Sequence, residues 1–114
     1  MKVEEKEFSV SFSEADRSIR LIGSMRLRNA KDYDSIKRLL RDAHALDFPR
    51  LTLDFRKLEY LNSCALGIFA QFVVEARRVD RTKLVLFGSS RHHWQTRSLG
   101  TLKRIWPEIT VHID

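Results

Sequence analysis

The chain has 114 residues, of which 43% are hydrophobic and 32% are charged, and its formal net charge is +6. This length and composition are typical of a single soluble domain, residues 1–114, with one hydrophobic core. The one cysteine excludes an internal disulfide.

The sequence indicates neither export nor membrane insertion. The N-terminal MKVEEKEF carries acidic residues where a signal peptide needs an apolar run. The longest nearly apolar run, Cys64 to Val74, contains Gln71 and is too short to span a bilayer. We therefore expect a cytoplasmic protein without a membrane segment.

The positive charge is concentrated near the C-terminus. Between Arg81 and Pro107 there are six lysines and arginines and no acidic residue, whereas the rest of the chain carries fifteen basic and fifteen acidic groups. This distribution favours an anionic ligand or partner near that segment. A solvated, basic helix face would give the same pattern.

The first half of the chain predicts a hairpin and a helix. In EFSVSF, Phe8, Val10 and Phe12 alternate with polar residues, which is the period of a half-buried strand. SIRLIGSMRL resumes the alternation after EADR, so the two segments predict an antiparallel pair. The period becomes helical in DYDSIKRLLRDAHAL, where Asp32 can cap the start and Pro49 follows the end.

The second half alternates strands with helices. RLTLDF predicts a strand, and the segment from Ser63 to about Val79 predicts a largely buried helix. KLVLFG is a continuous apolar run, which predicts an interior strand covered on both faces. HWQTRSLGTLKRIW gives a third helix, ended by Pro107, and ITVHI gives a last short strand. The order β-β-α-β-α-β-α-β predicts an α/β fold: a mixed sheet of about five strands with an N-terminal hairpin and helices packed on it.

Polar residues follow two strands of this predicted sheet. EYLNSC comes after the third strand and GSSRHHW after the fourth, and such loops share the sheet edge where ligands and partners bind. If these strands are neighbours, Ser63 lies close to the second loop. Hydroxyls, cations and a helix start at one edge suit a phosphate. Helix capping explains Asn62 and Ser63 equally well.

The stretch LTLDFRKLEYLNSCALGIFAQFVVEAR resembles the central motif of STAS domains, the fold shared by bacterial anti-sigma-factor antagonists and sulfate-transporter tails. In the antagonists the motif runs from a strand through Asp-Ser-Ser/Thr-Gly-Leu-Gly into a helix. The matching residues here are Asn62, Ser63, Cys64, Ala65, Leu66 and Gly67. The predicted element order matches the STAS fold over essentially the whole chain. GSSRHHWQTRSLGTLKRIWP is similar to a subgroup of small stand-alone bacterial STAS-like regulators.

The resemblance implies a non-enzymatic regulator of transcription that switches between partners. In the antagonists a kinase, often the anti-sigma factor itself, phosphorylates the first serine of the motif, and a phosphatase resets the protein. The matching residue here is Ser63. Three neighbours depart from the motif: Asn62 replaces Asp, Cys64 replaces a second Ser or Thr, and Ala65 replaces Gly.

The implied partner is an anti-sigma factor or a switch-type serine kinase, together with a phosphatase, and a homodimer stays open. The surface predicted to bind the partner consists of Asn62, Ser63, Cys64, Ala65, Arg91, His92, His93, Trp94, Gln95 and Arg97. Trp94 is predicted to be an exposed anchor, whereas Trp106, at helical spacing from Leu99 and Leu102, is predicted to lie in the core.

Other classes of function have weaker signals. Cys64 with His92 or His93 would make a nucleophile and base, but a small cysteine in helix packing is the commoner case. The four histidines lack metal-ligand spacing, and no paired carboxylates, Gly-rich phosphate loop or G-x-S-x-G elbow is present. The sequence therefore predicts no catalytic residue, metal or cofactor. Two alternatives stay open: a STAS-like module that binds a nucleotide or other small anion, and a basic nucleic-acid-binding protein. The second is less favoured because no usual nucleic-acid-binding motif is present.

Overall fold

The structure, a computed structural model that describes residues 1–114, is a six-stranded mixed sheet with three helices on one face. The strands are β1 (Lys2–Glu4), β2 (Phe8–Ser13), β3 (Ser18–Met25), β4 (Arg50–Leu61), β5 (Lys83–Gly88) and β6 (Thr110–Ile113). The helices are α1 (Asp34–His44), α2 (Ser63–Val79) and α3 (His93–Ile105), and a 3-10 turn (Ala30–Tyr33) precedes α1. The strands lie in chain order across the sheet; β1 to β3 pair antiparallel, and β3 to β6 pair parallel.

Most of this architecture follows the predicted pattern. The hairpin, the three helices and the parallel strands all form where the periodicity predicts them. The sheet has one strand more than predicted, because the short N-terminal β1 adds an edge beside β2. The prediction that Asp32 caps the first helix is wrong: Asp32 lies inside the 3-10 turn, and no side chain caps α1.

The core lies between the sheet and the helices. One cluster of 27 buried residues joins side chains of β2, β3, β4 and β5 with all three helices. Alternate residues of a strand point to opposite faces, so the other face of the sheet is open. The prediction that β5 is covered on both faces is therefore wrong. Leu84 and Leu86 are buried beneath the helices, whereas Val85 and Phe87 lie half-buried on the open face.

Strand β4 is longer than its neighbour β5. It pairs with β5 only as far as Asp54, opposite Phe87, and then continues along β3 to Leu61, opposite Met25. Two register shifts in the β3–β4 pairing interrupt the alternation of this second half. The start of α2 therefore lies at the tip of a strand that runs past the end of β5.

None of the helices is long and apolar enough to cross a membrane.

Candidate partner-binding site

Asn62 caps α2. Its side-chain oxygen accepts a hydrogen bond from the N–H of Ala65 at 2.9 Å, which is the usual action of an N-cap residue. Its side-chain Nδ2 donates to the carbonyl of Leu27 at 2.9 Å, and its backbone N–H donates to the carbonyl of Met25. Asn62 therefore fixes the start of α2 to the end of β3 and the segment that follows it.

Ser63 is the first residue of α2 and is exposed. Capping is done by Asn62, so the Ser63 hydroxyl has no capping role and makes no hydrogen bond within the chain. The side chain of Asn62 engages the N–H of Ala65, and its carbonyl engages that of Leu66. The N–H groups of Ser63 and Cys64 are therefore left without a protein acceptor at the positive end of the helix dipole.

Cys64 and Ala65 point inward from the same turn. Cys64 is half-buried and packs against the core, as its packing interpretation predicted. Ala65 is fully buried, so its prediction as a partner-binding residue is wrong. Its methyl group is accommodated because this position has an ordinary helical conformation that needs no glycine. Tyr33 is fully buried, and burial, with a smaller contribution from Cys64, raises the pKa of its phenol.

The loop between β5 and α3 offers a second set of polar groups. The Ser89 hydroxyl accepts a hydrogen bond from the N–H of Arg91 at 3.2 Å, which shapes the turn. The Arg91 side chain is exposed and has no ion-pair partner. His92 occupies the N-cap position of α3 without a side-chain cap bond, and His93, the first helical residue, is exposed.

Gln95 is fully buried, so its prediction as a surface contact is wrong. Its side-chain Nε2 donates to the carbonyls of Phe55 (2.6 Å) and Leu58 (3.0 Å), and its Oε1 accepts from the N–H of Ser89 (2.7 Å). These carbonyls belong to the part of β4 that does not pair with β5. Gln95 thus attaches α3 to β4 in place of the missing sheet hydrogen bonds.

Trp94 is half-buried and packs against the core, and its indole N–H donates to the carbonyl of Glu59 at 2.8 Å. The prediction of an exposed anchor is therefore corrected: Trp94 is half-buried, and its indole N–H is used within the chain. Trp106 is buried, which confirms its assignment to the core. Arg97, one turn after Trp94, is exposed.

The two polar loops do not form one cluster. A shallow hollow of about 890 Å³ lies beside the second loop. It is lined by Ile22, Arg56, Lys57, Glu59, Ser89, Ser90, Arg91, His92 and Asp114. None of Asn62, Ser63, Cys64 or Ala65 reaches it, because the second half of β4 lies between the two loops.

The lining residues from β3, β4 and the C-terminus were not predicted from the sequence. Lys57 and Glu59 lie in the irregular half of β4, and Asp114 lies far along the chain, so no local pattern connects them with Ser90. No group of three or more His, Cys, Asp or Glu side chains is placed to hold a metal ion.

Solved structures share this fold. One similar chain comes from the crystal structure of the diguanylate cyclase SiaD in complex with its activator SiaC from Pseudomonas aeruginosa (TM-score 0.73, 13% identity, 100% of this chain and 99% of that chain). Another is an anti-sigma factor antagonist from Mycobacterium paratuberculosis (TM-score 0.68, 14% identity, 95% and 90%). A third is SiaC of P. aeruginosa (TM-score 0.61, 13% identity, 99% and 93%).

No protein-family model and no curated protein sequence matches the chain. The structural likeness nevertheless extends over nearly the full length of the chain and includes an anti-sigma factor antagonist. The chain therefore has a STAS-like fold, which confirms the fold implied by the motif in residues 51–77.

Proposed function

We propose that this chain is a non-enzymatic regulatory protein that binds a protein partner and is switched by phosphorylation of Ser63. The observation that carries the proposal is the exposed Ser63 hydroxyl at the start of α2, free of any capping role. By its resemblance to the antagonist motif, Ser63 matches the serine that is phosphorylated in the antagonists, and the STAS-like fold is consistent with that match.

The start of α2 suits a phosphoserine. No acidic residue lies in its first turn, and the N–H groups of Ser63 and Cys64 have no acceptor in the chain. A phosphate adds about −1.5 to −2 charge at neutral pH, which the helix dipole favours at this end. Phosphorylation is therefore expected to leave the fold intact and to change the charge of the surface around Ser63.

The partner we propose is an anti-sigma factor or a switch-type serine kinase, with a phosphatase that reverses the modification. This makes the chain a cytoplasmic phosphoprotein of transcription regulation. The SiaD complex supports a broader version of the same role, because it pairs an enzyme with an activator. An enzyme regulated by direct binding is thus the second kind of partner.

The test uses baits of the full chain for affinity capture from a native lysate, with binding of the captured partner then measured by titration. Ser63→Asp is expected to weaken binding at least about tenfold, as a like-charge contact at an interface does, whereas Ser63→Ala keeps it permanently on. Ser35→Asp, the same change at an exposed serine in the first turn of α1, is the matched control.

Equal binding by Ser63→Asp and wild type would refute the switch. A second readout is intact-mass analysis after incubation with the captured kinase and ATP. Absence of an added phosphate on the wild type, or its persistence on Ser63→Ala, would refute Ser63 as the modified residue.

A small anion in the hollow of Ser89, Ser90, Arg91 and His92 is the second candidate function. The hollow has only one hydrophobic lining residue, and hydroxyls and cations border it together with the carboxylates of Glu59 and Asp114. A nucleotide panel screened by thermal shift would support it if stabilisation disappeared in Arg91→Ala. Nucleic-acid stacking has less support, because Trp106 is buried and Trp94 is half-buried.

A further inference from the structure

The exposed sides of α2 and α3 form one continuous surface. The two helices follow adjacent parallel strands, so they run side by side in the same direction. Their C-terminal ends are joined by a hydrogen bond of 3.0 Å from the Arg77 guanidinium to the carbonyl of Ile105. We call this surface the α2–α3 face; it consists of Ser63, Gly67, Val74 and Arg77 from α2 and of Arg97 and Arg104 from α3.

Helical spacing places these residues on one side. Ser63, Gly67, Val74 and Arg77 follow one another at intervals of four, seven and three residues, which keeps them on one stripe of a helix. Arg97 and Arg104 are seven residues apart and share a stripe of α3 in the same way. All six residues are exposed.

The charge on this face is uniformly positive. Helix α3 contains no acidic residue, and the one acid of α2, Glu75, is paired with Arg78. Glu75 lines a groove toward α1, and Val74 lies at the border between that groove and the α2–α3 face. Arg77, Arg97 and Arg104 have no carboxylate within 4.0 Å. This face therefore carries an unneutralised positive charge.

Two other cations of the basic C-terminal segment are neutralised by carboxylates outside this face. Arg81 pairs with Asp47, and Lys83 pairs with Asp80 and Glu108. The excess charge read from the sequence thus remains mainly on α3 and on the loop before it.

The centre of the face is apolar and open. Val74 is 52% exposed, and a Cβ built on Gly67 would meet no other atom within 4 Å. A small residue and an exposed apolar side chain between cations allow another helix to approach closely. A nucleic-acid backbone would gain nothing from this centre, and none of the six residues of the face carries an aromatic ring on which a base could stack.

We propose that the α2–α3 face binds an acidic, partly apolar helical segment of a protein partner. The inference rests on the proposed function and gives the chemistry of the partner. It also fixes the direction of the switch: a phosphate on Ser63 lies on the same stripe as Val74 and repels an acidic segment. Phosphorylation then releases the partner, whereas a basic partner would be recruited by it.

The test is a titration of the ¹⁵N-labelled, unphosphorylated full chain with a synthetic amphipathic helical peptide that carries glutamates around a leucine stripe. Amide shifts are expected to concentrate in α2 and α3. The double reversal Arg97→Glu/Arg104→Glu is expected to weaken binding at least about tenfold, because it converts attraction into repulsion. Arg38→Glu/Arg41→Glu, the same double change on exposed arginines of α1, is expected to stay within about twofold of wild type.

Three results of the peptide titration overturn the proposal: shifts that map outside α2 and α3, equal weakening by both double reversals, or equal binding of a peptide with lysines in place of the glutamates. Tighter binding of a DNA duplex through the same residues also overturns it and assigns the face to nucleic acid. The titration needs neither the native partner nor a kinase, so its failure leaves the Ser63 phosphorylation test untouched. Peptide binding that Ser63→Asp does not weaken would support the face and contradict the switch.

Discussion

At the scale of single residues, the hydrogen bonds of Asn62 explain why this chain has an amide where the antagonist motif has a carboxylate. A carboxylate would cap α2 equally well and would favour the helix dipole. It would not donate a hydrogen bond, and the amide donates one to the carbonyl of Leu27. The hydrogen bond to the segment after β3 therefore favours asparagine at this position, because a carboxylate there would face the carbonyl oxygen of Leu27.

We expect Asn62→Asp to lower the free energy of unfolding by about 1 kcal/mol at pH 7. Loss of the donor and repulsion from the Leu27 carbonyl outweigh the gain of charge at the helix start. Urea denaturation measures the difference. The control is Asn29→Asp, at an exposed asparagine whose side chain makes no cap bond, with an expected change under about 0.5 kcal/mol. An Asn62→Asp variant as stable as wild type would show that the Leu27 contact does not select the amide.

The sequence predicts that either Asn62 or Ser63 caps α2, but it does not indicate which of the two does so. Both residues are good N-caps, so the sequence allows either to cap and the other to be free. The choice depends on Leu27, which lies 35 residues from Asn62 and contacts it only in the fold. Gln95 was misplaced for the same reason, since its three partners are all backbone groups of other elements.

At the scale of elements, α3 is held to the sheet by polar contacts as well as by its apolar stripe. Leu99 and Leu102 are fully buried, and Gln95 extends the same stripe by one turn toward the N-terminus. There it meets the half of β4 that β5 does not cover. The polar residue at this core position supplies hydrogen bonds that a leucine would leave unmade.

Gln95→Leu is therefore expected to destabilise the chain by on the order of 3 kcal/mol, although leucine is similar in size and more apolar. Three buried backbone groups would each lose a hydrogen-bonding partner, at about 1 kcal/mol or more for each. Gln71→Leu makes the same chemical change at an exposed position of α2 and is expected to cost under about 0.5 kcal/mol. Chemical denaturation of both variants measures the contrast, and equal stabilities would contradict the anchoring role.

Elements with a strong period were predictable, and those without one were not. β2, β3, the first half of β4 and the three helices show their burial as alternation or as helical stripes. β1 is a polar edge strand of three residues and has no apolar pattern to find. In the second half of β4, Leu58 and Leu61 are buried three residues apart, because register shifts interrupt the two-residue period.

At the scale of the whole molecule, the two sides of the sheet differ. The helices cover one side, and their outer surface carries the proposed partner face and Ser63. The open side has its own ion pairs, in which Asp54 accepts two hydrogen bonds from the Arg56 guanidinium, at 2.9 and 2.8 Å. Arg20 lies opposite Asp54 on β3, and Arg56 also approaches Asp114 at 3.9 Å. Ion pairing therefore neutralises part of the charge on this side, whereas Arg97 and Arg104 on the helical side have no carboxylate partner.

The ion pair between Asp54 and Arg56 makes the stability of the fold depend on pH. Burial alone would raise the pKa of Asp54, but the hydrogen bonds and charge of Arg56, with the charge of Arg20, hold that pKa below its ordinary value. A carboxyl with a lowered folded pKa stabilises the fold above its unfolded pKa of about 3.9. That stabilisation is lost as the pH falls through the lower, folded pKa.

Asp54→Asn removes this titration, so the variant is expected to be less stable than wild type at pH 7 and to approach it as the pH falls below about 4. As the pH is lowered from about 5 toward the acid limit of folding, the melting temperature of wild type should therefore fall more steeply than that of Asp54→Asn, because only wild type has the Asp54 carboxyl to protonate. Glu14→Gln, at an exposed carboxylate outside every ion pair, is the matched control and should leave the slope unchanged. If the melting temperatures of wild type and Asp54→Asn changed in parallel with pH across this range, Arg56 would not stabilise the charged carboxylate. The backbone pairing of β3 with β4 would then be what holds the open side.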